Sequence, residues 1–140
     1  MKTMITVDGS EYTRRAVDFY LDHKRSFGKF GSVTLLHVRP AATGLLSAAL
    51  RPEVLAEHEQ SELQESMGWA RKRFGQYEVP FLEIIEQGGA AEKIVEIAER
   101  GDFELIIMGS RGHGALPGLS LGSTTLKVLA STKVAVLVVR

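Results

Sequence analysis

Gly109-Ser110-Arg111-Gly112-His113-Gly114-Ala115-Leu116-Pro117-Gly118-Leu119-Ser120-Leu121-Gly122-Ser123-Thr124 is the stretch on which the reading of this chain turns. It follows directly on the apolar run Leu105-Ile106-Ile107-Met108 and leads into the helix-like segment Thr125 to Ala130. A short buried strand therefore empties into a glycine-rich loop, and the loop ends on two hydroxyl residues at a helix start. Such a join is a candidate phosphate site. Glycine lets backbone N–H groups approach an anion closely, and the first N–H groups of a helix lack intrahelical partners while carrying the positive end of its dipole. Ser123 and Thr124 would add hydroxyl donors.

Working outward, the rest of the chain alternates strands and helices. Met4-Ile5-Thr6-Val7 reads as a buried strand stopped by the turn Asp8-Gly9-Ser10. Ser10 is a candidate N-cap for a helix in which Tyr12, Ala16, Phe19 or Tyr20, and His23 recur at helical spacing. Gly28 and Gly31 mark the return to a second strand, Val33 to Val38, ended by Arg39-Pro40. Pro40 to Pro52 is long for a βα connection and is compatible with a lid, a contact surface or a short packed helix. A long helix is expected from Glu53 to Phe74 with Leu63, Met67, Ala70 and Phe74 as its core stripe. Phe81 to Ile85 is the third strand. Gly88-Gly89 precedes a helix carrying Ala91, Ile94, Val95 and Ala98 on one face, closed by Gly101. Glu104 to Met108 is the fourth strand, and Val134 to Val139 the fifth.

The order βαβαβαβαβ predicts a single α/β domain spanning residues 1–140, an open parallel five-stranded sheet of Rossmann-like layout with helices on both faces. Ligands of such sheets sit beyond the carboxyl ends of the strands, where the strand order reverses. The first strand ends in Asp8 and the fourth in Gly109. If these strands are neighbours, both residues flank one crevice.

Composition narrows the function classes. The chain has 140 residues, 44% of them hydrophobic and 24% charged, as expected of an ordinary globular domain. Lys plus Arg and Asp plus Glu number 17 each, so no net field draws the protein to nucleic acid or to a membrane surface. Arg71-Lys72-Arg73 reads as a solvated helix face. The absence of cysteine removes disulfides, thiolate metal sites and cysteine nucleophiles. The longest apolar run, Val134 to Val139, is far short of the roughly 18 residues of a membrane helix. The expectation is a soluble cytoplasmic protein. His23, His37, His58 and His113 are scattered without ligand spacing, so no transition-metal site is expected.

The glycine loop is neither a Walker A motif nor a dinucleotide fingerprint. The residues alone leave phosphate binding and a purely structural loop both open. Asp8 is likewise either a ligand residue or a turn residue. Arg111 is either an exposed loop residue or the partner of an anion. A serine-hydrolase reading fails, and a phosphoacceptor reading is disfavoured. Gly118-Leu119-Ser120-Leu121-Gly122 fits G-x-S-x-G, yet no strand directly precedes the serine, and no Asp, Glu or His follows it. A phosphoacceptor at Asp8 would need further carboxylates to hold Mg2+, and Asp8 has no acidic neighbour in sequence.

Gly109-Ser110-Arg111-Gly112, nine residues, then Gly122-Ser123, together with Val7-Asp8-Gly9-Ser10, Leu35-Leu36-His37-Val38 and Val136-Leu137-Val138-Val139, resembles the ATP-binding members of the universal stress protein family. The resemblance spans the whole chain. It implies nucleoside contacts at Asp8 and Val38, with phosphates held at Gly109, Arg111, Gly112, Gly122, Ser123 and Thr124. It also implies ATP or another adenine nucleotide with Mg2+ at the phosphates, and Asp8 as the one side chain that would bridge the metal. A homodimer through Val134 to Val139 is implied too, which agrees with the need of an apolar edge strand for cover. The expected function is a nucleotide-responsive regulator of stress tolerance with no catalytic residue. The alternatives are an ATP-independent dimeric module, or a slow ATPase or phosphotransfer protein.

Overall fold

In the computed structural model of the chain the first strand, β1, runs over Lys2–Thr6, and its residues 3–5 are fully buried. Both of its faces are covered, which is why it reads as a continuous apolar run instead of an alternating one. The structure describes residues 1–28, 31–41, 44–114, 118 and 120–140. The centre of the glycine loop (115–117 and 119), residues 42–43 of the segment Pro40 to Pro52, and residues 29–30 between the two marker glycines lie outside these.

The remaining elements are α1 Glu11–Asp22, a 3-10 turn Lys24–Phe27, β2 Ser32–Arg39, α2 Gly44–Ala49 and α3 Pro52–Gln76. They continue with β3 Leu82–Gln87, α4 Ala90–Arg100, β4 Leu105–Gly109, α5 Ser123–Ser131 and β5 Ala135–Val139. All strand pairs are parallel, and the sheet order is β3-β2-β1-β4-β5. The expected single-domain five-stranded parallel sheet is what the chain forms, and β1 and β4 are neighbours. The order reverses between them: the chain builds outward through β2 and β3, then returns to the other side of β1.

Strands β1, β2, β4 and β5 divide their side chains between two cores. Ile5 pairs in register with Leu35 and with Ile107, and this row packs under α1 and α3 with Val17, Met67 and Phe74. Met4 and Ile106, one residue out of phase, face α4 and α5 with Leu36, Ala98 and Val128. This is period-two alternation in a sheet covered twice. Ser10 caps α1 as expected, its hydroxyl accepting from the Thr13 N–H at 3.3 Å. Pro52 starts α3 at a position where a missing N–H costs nothing.

Three local expectations shift. The buried face of α1 is Thr13, Ala16, Val17, Tyr20 and Leu21, whereas Tyr12 and Phe19 lie half-buried at its margin and His23 is exposed. Gly101 ends α4 at φ −90°, and the left-handed residue is Asp102 at φ 51°. A side chain at Gly101 would meet the Phe103 ring at 2.7 Å, so close packing and not backbone freedom calls for glycine there. Arg71 and Arg73 are not freely solvated. They make ion pairs with Glu83 at 2.7 Å and Asp18 at 2.8 Å, tying α3 to β3 and to α1. Part of the segment Pro40 to Pro52 is the short helix α2. Among the described residues no helix is long and apolar enough to cross a membrane.

Candidate functional site

At the point where the sheet order reverses, the ends of β1 and β4 part and a cleft of about 290 Å³ opens beyond them. Its two flanks differ in chemistry. Leu36, Val38, Ala90, Ile94 and Met108 make an apolar slot between the sheet and α4. Asp8, Arg111, Gly112, Ser123 and Thr124 make the polar flank. The eight positions singled out in the sequence, Asp8, Val38, Gly109, Arg111, Gly112, Gly122, Ser123 and Thr124, all line this one cleft.

Close approach requires glycine at 109 and 112 and is tighter than ordinary contact at 122. A Cβ at Gly109 would lie 2.7 to 2.9 Å from backbone and Cβ atoms of Tyr12, because α1 crosses the end of β4 there. A Cβ at Gly112 would lie 2.6 Å from Asp8 Oδ2, and one at Gly122 would lie 3.2 Å from the Arg111 Cα. The loop thus folds back on itself and against the β1 turn. Two of its N–H groups are used in doing so: Ser110 donates to Val139 O at 2.7 Å and Gly122 to Ser110 O at 2.8 Å. The sequence pattern offers Gly122 as an anion donor. The N–H groups of Arg111 and Gly112, and those of Ser123 and Thr124 at the start of α5, have no backbone acceptor among the described residues.

Helix α5 is aimed into the cleft by Thr125, whose buried hydroxyl donates to Gly109 O at 3.1 Å. Its N-cap is Gly122, so no side chain covers the first-turn donors, and the positive end of the helix faces the polar flank. Arg111 is the only Lys or Arg among the described residues lining the cleft. Its guanidinium lies 5.7 Å from the centre of the Tyr12 ring and pairs with no carboxylate among the described residues.

Val38 acquires its place from strand geometry. Val7 N–H donates to Leu36 O at 2.8 Å and Gly88 N–H to Arg39 O at 2.9 Å. Successive residues of a parallel strand turn their backbone groups to alternate sides, so Leu36 and Val38 face β1 while His37 and Arg39 face β3. Strand β1 has ended before the level of Val38. The Val38 N–H and C=O therefore border the cleft with no strand opposite.

Asp8 is held on several sides. Its Oδ1 accepts from the Ser10 N–H at 2.9 Å and from the Thr13 hydroxyl, and its carbonyl accepts from the His113 Nε2–H at 2.6 Å. Among the described residues no group of three His, Cys, Asp or Glu is placed to hold a metal ion. Sequence reasoning missed Thr13, Ala90 and Ile94 as cleft residues. For Thr13 a signal existed: it is a hydroxyl at the N-terminal end of an otherwise apolar helix stripe.

The matching family model is described as "Universal stress protein family" and covers residues 1–140. The chain belongs to the universal stress protein family. Universal stress protein MJ0531 of Methanocaldococcus jannaschii is 28% identical over 140 residues, 99% of this chain and 81% of the relative. The solved hypothetical protein MJ0577 is 30% identical with a TM-score of 0.77, over 99% of this chain and 94% of that one. The Archaeoglobus fulgidus universal stress protein in complex with dAMP shares the fold at 18% identity and a TM-score of 0.70, over 100% of this chain and 98% of that one. Two more structures of this fold, both at a TM-score of 0.69 and 99% of this chain, are an Arabidopsis thaliana family member with AMP bound, 16% identical over 91% of its own chain, and a universal stress protein in complex with cAMP, 20% identical over 97% of its own chain.

Proposed function

We propose that this universal stress protein binds an adenine nucleotide, ATP with Mg2+ in the first instance, in the cleft between β1 and β4, and that nucleotide occupancy regulates a stress response. The observation that carries the proposal is the division of one cleft into an apolar slot at Val38, Ala90 and Ile94 and a donor-rich flank at Arg111, Gly112, Ser123 and Thr124, with Asp8 between them. A nucleotide has the same three parts in the same order. Family members of this fold in complex with dAMP, AMP and cAMP support the reading.

In this reading the base lies in the apolar slot and hydrogen-bonds to the open backbone groups of Val38, and the sugar lies against Asp8. The N–H groups of Arg111 and Gly112, and those of Ser123 and Thr124 at the positive end of α5, hold the phosphates together with the Arg111 guanidinium. Mg2+ bound to the phosphates would offset their charge, and one carboxylate with phosphate oxygens is an ordinary donor set for it. Asp8 is the carboxylate in position. Asp8 Oδ1 takes two donors and His113 Nε2–H is bonded to the Asp8 carbonyl, so Asp8 Oδ2 and His113 Nδ1 are the base atoms left, and in this reading Oδ2 is used on the sugar or the cation. This favours a binding protein over a fast hydrolase, and turnover of about 1 per second, the low end of ordinary enzymes, would overturn it.

Gly122→Leu is the test. Its backbone, φ −76° and ψ 160°, accepts any residue, so the fold should persist while the side chain fills the loop closure against Arg111. Calorimetric titration with Mg2+ and ATP should show binding to the wild type and none to the variant. Equal affinities would sink the assignment.

A further inference from the structure

Thr13 has a role in the cleft that neither the glycine motif nor the sheet geometry accounts for. It is 4% exposed on the buried face of α1, among Ala16, Val17 and Tyr20, where an apolar side chain would be the ordinary choice. Its hydroxyl donates to Asp8 Oδ1 and lies 3.2 Å from the Ser10 hydroxyl. With the Ser10 N–H also on Oδ1, that oxygen is saturated. The other oxygen, Oδ2, lies on the side of Gly112, at a distance that leaves no room for a Cβ there. No protein donor reaches Oδ2 among the described residues.

A carboxylate accepts hydrogen bonds and coordinates cations, and it repels phosphate oxygens. With Oδ1 used up, Asp8 presents one oxygen, in one direction, to whatever occupies the cleft. The ligand must bring a positively polarised group to that oxygen. In a nucleotide this is a sugar hydroxyl or a divalent cation held by the phosphates. We propose that Thr13 is a positioning residue of the nucleotide site: its hydroxyl turns Asp8 so that Oδ2 alone meets the sugar hydroxyl or the phosphate-bound cation. This rests on the adenine-nucleotide reading above. Thr13 touches no ligand itself and acts through Asp8.

The experiment compares the full-length wild type with Thr13→Val, which keeps the shape and removes the hydroxyl, and Thr13→Ser, which keeps the hydroxyl. Three ligands are titrated by calorimetry: AMP in the presence of a chelator, ATP with Mg2+, and metal-free tripolyphosphate, which meets the donor flank but offers Asp8 neither hydroxyl nor cation. A hydrogen bond to a charged group sets the expected scale, so Thr13→Val should lose about tenfold or more in nucleotide affinity, and Thr13→Ser should recover most of it. Loss with AMP identifies the sugar hydroxyl as the partner of Oδ2. Loss confined to ATP with Mg2+ identifies the cation. Tripolyphosphate should bind the wild type and Thr13→Val alike. If Thr13→Val binds both nucleotides as the wild type does, or if tripolyphosphate binding falls in parallel, the positioning role is refuted and Thr13 serves only the fold. A wild type that binds no nucleotide would instead refute the reading on which the proposal rests.

Discussion

At the scale of single residues, the glycines of the loop have separable duties. Gly109 answers to α1, since any side chain there meets the backbone of Tyr12. Gly112 and Gly122 answer to Asp8 and to the return of the loop. Gly109→Ala should therefore destabilise the whole protein by about 1–3 kcal/mol, the usual cost of overpacking, as read from the urea midpoint. Gly122→Leu should lose binding with little change in that midpoint. If Gly109→Ala leaves the midpoint unchanged, the close packing of α1 on β4 does not constrain that position. The glycine spacing was visible in the sequence, but a string of residues does not tell a packing glycine from a ligand glycine. Nor could it show that the Ser110 and Gly122 N–H groups are used in closing the loop, because their acceptors, Val139 and Ser110, become neighbours only once the loop has folded.

At the scale of elements, the strands and most helices were legible because their periodicity is strong, and the boundaries moved only by a few residues. The face of α1 is as read at Ala16 and Tyr20 and differs at Tyr12, Phe19 and His23. Tyr12 and Phe19 are large enough to stay half-buried at the margin, while the small and branched residues Ala16 and Val17 occupy the centre. The basic run on α3 misled for a related reason: the carboxylates that pair with it come from β3 and α1, far away in sequence. The Arg71 hydrogen bond, with a smaller contribution from its charge, holds the Glu83 carboxyl below its ordinary range. A carboxylate depressed in this way contributes stability above its unfolded pKa, about 4.3, and that contribution is lost as the pH falls through the lower folded value. Both side chains are partly solvated, so the contribution is small, about 0.5–1 kcal/mol. Glu83→Gln should be less stable than the wild type by that amount at pH 7, and urea unfolding should show the gap closing below about pH 4.3. A gap that persists unchanged at pH 3 would contradict the pairing.

At the scale of the whole molecule, alternation of strands and helices carries the fold class, whereas the adjacency of β1 and β4 comes from the observed order β3-β2-β1-β4-β5, since right-handed crossovers are compatible with other orders. That adjacency gathers residues 8, 38, 109, 111, 112 and 122 to 124 into one cleft, so the site is legible once the topology is. The apolar slot was less so, since Ala90 and Ile94 read simply as core positions on α4. The other feature at this scale is the free edge of β5. Val139 O accepts from Ser110, so the backbone of Val139 and Leu137 faces β4 and that of Val136 and Val138 faces outward. Pairing of two copies along this edge, as the family resemblance implies, would use those outward groups. Val136→Pro removes one outward N–H without touching the inner ladder, and it should halve the mass measured by light scattering. An unchanged mass would exclude β5 as the interface. Nucleotide binding in the cleft is measured on the wild-type protein as purified: denature it, identify any nucleotide released, then titrate the stripped protein with ATP and Mg2+. Stoichiometric adenine nucleotide, or saturable binding of one nucleotide per chain that Gly122→Leu abolishes, is the expected result. No released nucleotide and no binding would mean that the glycine loop of this chain only closes the fold.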